Sequence, residues 1–187
     1  MQTLSRTASG HAVIDTAMGF IGLAWNEAGL TRLCLPEKSS QAIERRLHAY
    51  GSAQGDAPPW VAALIAAIGA YAAGERVEFS DIPVDLAGVD DFRLAIYAEA
   101  RKLAFGETTT YGELARRAGH AGLARETGAA LGANPVPLVI PCHRIIAAGG
   151  RIGGFSAPGG STTKEKMLAM EGVHVGPPPS AQASFGF

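Results

Sequence analysis

Cys142 is the side chain of this sequence best suited by type and position to do chemistry. It stands between Pro141 and His143, with Arg144 next in the chain. The thiolate is the reactive form of cysteine, and because a free thiol has a pKa of about 8.5, a reactive cysteine needs a nearby base or cation. His143 could be that base. An isolated Cys-His pair is nevertheless more often a small buried side chain beside an incidental histidine, so the surrounding elements must distinguish the two interpretations.

The segments before the cysteine predict a strand and a pair of short helices. An apolar run at residues 136–140 predicts a strand that presents the cysteine. Upstream, residues 110–113 have the T-x-x-E spacing of a capping box, in which the threonine hydroxyl and the glutamate side chain each satisfy a backbone amide at a helix start. A short helix to Ala118, a turn over residues 119–122 and a helix at about 123–133 would follow. This order is typical of a helix-turn-helix, which places a helix in a DNA groove.

The second of these helices is rich in small residues that surround one long side chain, Arg125. The small residues are Ala124, Gly128, Ala129, Gly132 and Ala133, and the predicted packing face is Thr127, Ala130 and Leu131. Small side chains let a backbone come close to another surface, and the pattern fits tight helix packing and close approach to a ligand equally well. In the second interpretation, the helix enters a groove and Arg125 fills the space left by a displaced base.

The first half of the chain predicts a small sheet with helices. Short turns separate three apolar segments, which favours an antiparallel meander with strands at residues 12–16, 20–25 and 30–35. Apolar residues at helical spacing predict helices at residues 39–49 and 59–73. Residues 77–86 could form one more extended segment, interrupted by Pro83.

Charge balance and element type both change just after Gly88, which predicts a boundary there. The chain would then divide into residues 1–88 and residues 89–173. A second T-x-x-E, at residues 162–165, would open the last helix. Residues 174–187 are uncharged apart from one histidine and rich in Pro and Ser, so we expect a flexible tail.

Composition indicates an ordinary globular protein with room for a core. The 187 residues are 47% hydrophobic and 18% charged, and the net charge of −1 argues against unspecific binding to polyanions. The first 88 residues hold six Lys and Arg against nine Asp and Glu, and the remainder ten against eight. That small basic excess is compatible with a compact nucleic-acid contact in the C-terminal half.

The cysteines and the apolar runs of the sequence indicate the cellular compartment. Cys34 and Cys142 are far apart and lack zinc-site spacing, so we expect neither a disulfide framework nor a structural metal. A reducing cytoplasm fits these thiols best. No run reaches the roughly 18 apolar residues of a bilayer span, and the N-terminus lacks the apolar core of a signal peptide.

Four segments of the C-terminal half together resemble the O6-alkylguanine-DNA alkyltransferases, also called methylated-DNA–protein-cysteine methyltransferases. They are residues 106–112 (GETTTYG), 132–135 (GANP), 140–144 (IPCHR) and 153–156 (GGFS). Their order and spacing match the family, and a downstream lysine and Glu-Gly pair complete the pattern. The first 88 residues are similar to the family only in general layout.

The resemblance implies both a fold and an activity. The fold would be α/β (α+β), with a ribonuclease-H-like N-terminal domain holding a small antiparallel sheet and a helical, winged helix-turn-helix-like C-terminal domain carrying the cysteine. The family transfers an alkyl group irreversibly from O6-alkylguanine in DNA to that cysteine, after flipping the base through the minor groove. Such a protein would act once, as a monomer on double-stranded DNA, without cofactor, metal or membrane. O4-alkylthymine is a second candidate substrate.

For the chemistry, the resemblance makes Cys142 the alkyl acceptor. His143 would take the thiol proton through a water, and Glu171 would orient the imidazole. Tyr111 would donate a proton or hydrogen bond as guanine leaves. Asn134 would be the hinge that ties the recognition helix to the cysteine strand.

For the substrate, the resemblance implies a set of contacts on the recognition helix and the loops behind it. These residues are Arg125, Ala124, Ala129, Gly128, Tyr111, Ser156, Lys164 and Arg144. Arg125 would be the intercalating side chain, Ser156 would hydrogen-bond the guanine O6, and Lys164 would support the same pocket.

The recognition helix departs from the family pattern at one place. After Ala124 and Arg125 the family usually continues with small apolar residues, whereas Glu126 and Thr127 follow here. A carboxylate beside the inserted arginine would repel phosphates. We therefore expect weaker duplex binding than in a Glu126→Ala variant.

Two other functions are compatible with parts of this sequence. A non-catalytic protein that recognises alkylated bases could use the same scaffold, but such relatives replace the nucleophile and Cys142 is retained here. A cysteine-dependent hydrolase or redox enzyme is the other alternative. It would turn over repeatedly, whereas an alkyltransferase is consumed in one reaction.

Overall fold

The computed structural model describes residues 9–50 and 57–176, and within them the chain forms two small sheets and six α-helices. In chain order the elements are β1 (Gly10–Thr16), β2 (Gly19–Trp25), β3 (Leu30–Glu37), α1 (Ser40–Ala49), α2 (Pro59–Ala72), α3 (Asp91–Ala100), β4 (Thr109–Thr110), α4 (Tyr111–Arg117), α5 (Ala124–Gly132), β5 (Ile145–Ile146) and α6 (Gly160–Met170). This mixed composition with a small antiparallel sheet is the fold class that the sequence predicts. Most of the predicted tail, 174–187, lies outside the described residues.

The first three strands form the predicted antiparallel meander, in the order β1-β2-β3. The turns pass through Gly19 and Gly29, whose φ values of +116° and +150° favour glycine. Helix α1 packs on β2 and β3. A Cβ atom at Gly22 would lie 2.4 Å from the Ile43 side chain, so this glycine lets the helix lie directly against the sheet.

Helices α1 and α2 form where helical spacing predicts them. The Ser39 hydroxyl accepts a hydrogen bond from the Ala42 amide and so caps α1, while α2 begins with Pro59 at a position where a missing N–H costs nothing. The buried face of α2 includes Leu64, Ile68 and Tyr71. These side chains join the main apolar core together with those of β2 and of the C-terminal half.

The predicted extended segment at residues 77–86 is not a strand. Its one sheet-like contact is a bridge of Val84 to Leu30, in which the Leu30 amide donates to the Pro83 carbonyl and the Asp85 amide donates to the Leu30 carbonyl. Pro83 has no N–H to donate, so the pairing cannot extend in both directions. The segment is therefore a connection that crosses the edge of β3.

Helices α3, α4 and α5 pack against one another. The pair α4–α5, joined by a short turn, has the helix-turn-helix order that the sequence predicts. On α5, Thr127, Ala130 and Leu131 are buried, which confirms the predicted packing face. The Tyr97 hydroxyl of α3 donates to the Ala130 carbonyl at 2.7 Å and thereby links α3 to α5.

One of the two predicted capping boxes is half right and the other is wrong. The Thr110 hydroxyl accepts from the Glu113 amide at 3.2 Å, but the Glu113 carboxylate binds two arginines of α4 instead of returning to the helix start. Helix α6 begins two residues before Thr162. The N-cap is Gly159, which has no side-chain oxygen to cap the helix, and Thr162 lies inside the first turn, so the predicted second box does not form.

Within residues 9–50 and 57–176, no helix is both long and apolar enough to cross a bilayer. The same ranges contain no group of three or more His, Cys, Asp or Glu side chains arranged to hold a metal ion. Both cysteines are free thiols and are buried.

Candidate active site

Cys142 opens a single 3-10 turn, Cys142–Arg144, between an irregular segment and β5. The prediction that a strand carries the cysteine is wrong. Residues 136–140 form a tight turn in which Leu138 has a φ of +75°, and the Cys142 amide donates to the Ile140 carbonyl at 2.8 Å. The apolar side chains are buried because the turn lies inside the core, and Pro137 removes an amide that a strand would need.

Asn134 links α5 to the cysteine turn. Its Nδ2 donates to the Ile140 carbonyl at 2.8 Å, and its Oδ1 accepts from the Val136 amide at 3.0 Å. One amide group therefore holds both ends of the segment before Pro141. The side chain also hydrogen-bonds Cys142, which favours the thiolate.

Cys142 is 7% exposed, and burial raises the pKa of its thiol above the ordinary value. The Asn134 hydrogen bond, the charge of Lys164 and the amides of the turn act in the opposite direction but do not outweigh burial. At rest the sulfur is therefore a neutral thiol. Its deprotonation has to accompany the reaction, which requires a base nearby.

His143 is fully buried beside that thiol. Its Nε2 lies 2.7 Å from Oε1 of Glu171, and because a carboxylate only accepts, Nε2 must carry the hydrogen. Nδ1 is then an acceptor, and no described residue donates to it. Burial lowers the pKa of His143 although Glu171 acts to raise it, so the imidazole is neutral and free to take a proton.

Glu171 is held as a carboxylate by five hydrogen bonds. Its Oε1 accepts from His143, the Tyr71 hydroxyl and Arg144 Nη2, at 2.7, 3.0 and 3.1 Å. Its Oε2 accepts from Arg144 Nε and the Gly106 amide, both at 2.9 Å. Burial alone would raise the pKa of Glu171, but these donors, His143 first among them, lower it to about 2.

Arg144 corrects one prediction. The sequence places it among residues that touch substrate or DNA, but its side chain is 4% exposed and binds Glu171 and the Leu103 carbonyl, the latter at 2.6 Å. A guanidinium with these buried partners is not available to a phosphate. Its position makes it the counter-charge that keeps Glu171 ionised.

The cysteine opens onto a cavity of about 510 Å³ on the side of α5. The lining residues are Tyr111, Ala124, Arg125, Gly128, Leu131, Gly132, Cys142, Gly154, Phe155 and Ser156. The small residues of α5 thus border open space: a Cβ atom at Gly132 would meet nothing within 4 Å. Of the two interpretations of this helix, the structure favours the approach of a ligand over tight packing against another helix.

Tyr111 lines this cavity, and its hydroxyl is hydrogen-bonded to Lys164. The Lys164 ammonium is fully buried and donates to the Tyr111 hydroxyl and the Gly154 carbonyl, both at 3.2 Å, and to the Ile145 carbonyl. Burial lowers the pKa of Lys164 to about 8. A Cβ atom at Gly153, where φ is +75°, would come within 3.1 Å of the Tyr111 ring. The absence of a side chain at Gly153 therefore allows the Tyr111 ring to pack closely against the loop.

Of the remaining predicted contacts, Arg125 and Ser156 line the cavity, whereas Ala129 does not. Arg125, Glu126 and Ala129 are exposed on α5, and Ser156 is exposed on the facing loop. The Ser156 hydroxyl donates to the Gly132 carbonyl at 3.1 Å, so the loop and the helix are joined across the opening.

Sequence reasoning missed Tyr71, which contacts Glu171 from 100 residues away in the chain. Within α2 it is one apolar position among many, and only its hydroxyl distinguishes it. It also missed Phe155, whose ring lines the cavity. Its position inside the GGFS motif was the available signal.

A protein-family model matches the C-terminal half of the chain. The 6-O-methylguanine DNA methyltransferase DNA-binding domain matches residues 91–173. A methylated-DNA–protein-cysteine methyltransferase of Mycolicibacterium paratuberculosis is 34% identical over 164 residues, which are 88% of this chain and 93% of the relative. A DNA base-flipping protein of Thermus thermophilus is 43% identical over 107 residues, 57% of this chain and 70% of that protein.

Solved structures agree with these sequence matches. The Mycobacterium tuberculosis OGT crystallised in complex with DNA has a TM-score of 0.69 to this chain at 33% identity, and the match covers 87% of this chain and 92% of the other. The resemblance read from the four motifs is confirmed, and so is the α/β fold at the level of overall architecture. The chain belongs to the methylated-DNA–protein-cysteine methyltransferase family.

Proposed function

We propose that this protein repairs O6-alkylguanine in double-stranded DNA by transferring the alkyl group directly and irreversibly to Cys142. One observation carries the proposal: the cysteine lines a cavity beside the small-residue helix α5, and the next residue is a histidine bound to a buried carboxylate. A nucleophile with a base behind it and space in front of it suits attack on an extruded nucleotide. Membership of the family supports the same reaction.

In the reaction, the Cys142 sulfur attacks the alkyl carbon in line with the bond to O6. The sulfur–carbon bond forms as the carbon–oxygen bond breaks, and its electron pair stays on guanine. The thiol proton passes through a water to His143, whose imidazolium Glu171 stabilises. Tyr111 gives a proton to the departing guanine and regains one from the imidazolium through solvent. The products are a thioether and an unmodified base, so each molecule of protein repairs one lesion.

Binding requires the base to leave the duplex, because O6 is not accessible to a protein sulfur inside the stack. Helix α5 would enter the minor groove of the DNA, with Ala124, Gly128 and Ala129 against the DNA backbone. Arg125 would fill the vacated space. Ser156 would exchange its bond to the Gly132 carbonyl for one to guanine O6, and Lys164 would hold Tyr111 in place.

We also propose a division into a ribonuclease-H-like domain at 1–88, a winged helix-turn-helix-like domain at 89–173 and a flexible tail at 174–187, acting as a monomer. The start of the family match at residue 91 supports this boundary. Two free cysteines support a cytoplasmic location. Limited proteolysis that cuts first near residue 88 and within the tail would support the division.

Intact mass spectrometry tests the proposal. Incubation with duplex DNA containing O6-methylguanine is expected to add one methyl group per protein, located on the Cys142 peptide, and to return guanine in the DNA. Cys142→Ser should gain nothing, while Cys34→Ser, which changes the other buried thiol, should react like the unchanged protein.

The outcomes separate the alternatives. Binding of the lesion duplex without a mass gain would favour a non-catalytic lesion-recognition protein. Repeated turnover by one protein molecule would indicate a cysteine hydrolase or redox enzyme. Either result would contradict the proposal.

A further inference from the structure

One polar group in contact with the His143–Glu171 pair comes from the N-terminal half of the chain. Tyr71, near the end of α2, is 1% exposed, and its hydroxyl donates to Glu171 Oε1 at 3.0 Å. The ring packs edge-on against Phe79 and Phe105, with centroids 5.8 and 6.2 Å away. Helix α2 lies outside the segment matched by the family model. The reaction derived above makes no use of this contact.

The contact matters because of which oxygen it occupies. Oε1 also accepts the Nε2 hydrogen of His143 at 2.7 Å and a hydrogen of Arg144 at 3.1 Å. Hydrogen bonds to a carboxylate stabilise its charge and make it less basic. A third donor on Oε1 therefore weakens the support that Glu171 gives to a protonated imidazole.

We propose that Tyr71 is a positioning residue that sets the basicity of His143 through Glu171, an inference that rests on the proposed function. The hydroxyl binds the same carboxylate oxygen as His143 and limits the pull of that oxygen on the imidazole proton. His143 then stays neutral at neutral pH, as a base must. By this contact, the N-terminal half of the chain regulates chemistry that takes place in the C-terminal half.

Several other charged or titratable groups face the same pair and have to be kept constant. They are Arg144 and Cys142 of the turn and Lys164 of α6, and the Gly106 amide completes the shell. In contrast to these groups, Tyr71 can lose its hydrogen bond without a change of formal charge or of ring packing. Tyr71→Phe therefore isolates the contribution of the hydroxyl.

The experiment measures the rate of alkyl transfer to Cys142 in single turnover, at saturating O6-methylguanine duplex, from pH 5 to pH 8. Loss of the hydroxyl leaves Glu171 a stronger partner for the imidazolium, so the pKa of His143 rises. The midpoint of the acid limb is expected to move upward by about half a pH unit to one unit in Tyr71→Phe. Nuclear magnetic resonance of the labelled His143 ring should show the same displacement without any substrate.

Phe79→Leu is the matched control, since it disturbs the packing around the Tyr71 ring but removes no hydrogen bond. It is expected to lower the melting temperature and leave the midpoint unchanged. An unchanged midpoint in Tyr71→Phe, or an equal displacement in both variants, would overturn the inference. If the unchanged protein itself transferred no alkyl group, the proposed function would fail instead, and the ring titration would still report on Tyr71.

Discussion

The two sides of Cys142 differ in almost every physical respect. Behind it, His143, Lys164 and the Glu171 carboxylate are completely buried, and the carboxylate has five donors. In front of it, α5 presents Arg125 and Glu126 to solvent beside a cavity of about 510 Å³. A buried polar network retains its geometry only when its members are satisfied, whereas an open surface can adapt to a ligand. Proton transfer is thus prepared before DNA arrives, and recognition is left to the exposed side.

The largest effect on this contrast is expected from Glu171→Gln. The amide cannot stabilise an imidazolium, and Arg144 would be left as a buried charge without its partner. We expect a loss of about 10²- to 10⁴-fold in the transfer rate and of about 3–5 kcal/mol in the free energy of unfolding. Single-turnover kinetics and urea unfolding measure the two. A variant that reacted at the normal rate would show that the buried pair has no part in the chemistry.

The change in the free energy of unfolding at acid pH should depend on the buried side of Cys142 and not on the exposed side. The folded pKa of Glu171, about 2, lies below its ordinary value, so the unfolded chain takes up the proton first as the pH falls. The ionised Glu171 carboxylate therefore stabilises the folded state above about pH 5, and this stabilisation is lost progressively toward pH 2. It amounts to something on the order of 3 kcal/mol. Urea unfolding between these pH values measures the slope. Glu126→Gln, on the exposed side, should leave this slope unchanged. An equal change of slope in Glu171→Gln and Glu126→Gln would contradict the contrast.

Arg125→Ala should affect recognition and leave the chemistry intact. Without the side chain that fills the stack, extrusion of the base becomes less favourable, and the reaction with duplex O6-methylguanine should slow by about 10- to 100-fold. The reaction of Cys142 with a free O6-alkylguanine base, which needs no extrusion, should keep its rate. Kinetics on the two substrates provide the measurement. A parallel loss on both would mean that Arg125 acts on the pocket itself.

Glu126→Ala should have the smallest effect. In the described part of the chain no cation pairs with this exposed carboxylate. Removing it should tighten duplex binding about two- to fivefold at low salt, with the gain vanishing as salt screens the charge. Fluorescence anisotropy at two salt concentrations tests this. Glu44→Ala, the same charge change on α1, is the control, and equal affinities of the Glu126 variant and the unchanged protein would refute the prediction.

The elements show where sequence reasoning succeeds. Strands β1–β3 and helices α1 and α2 lie within a few residues of their predicted places, because periodicity and turn residues act locally. The segment before Cys142 was predicted wrongly, since an apolar run of five residues indicates burial and not conformation. The prediction from the second T-x-x-E was also wrong, because the helix begins two residues earlier, at Gly160, and the spacing alone does not reveal where a helix starts.

The sequence by itself determined the family and the chemical types of its site, because a Pro-Cys-His-Arg segment with its companion motifs is local information that survives in the chain. Only the tertiary structure decided that Arg144 supports Glu171 and not DNA, and that Tyr71 of α2 shares the same carboxylate oxygen. Burial and hydrogen-bond partners arise from segments far apart in the chain. The state of a buried charge depends on all of its neighbours at once, so no single stretch of sequence contains it.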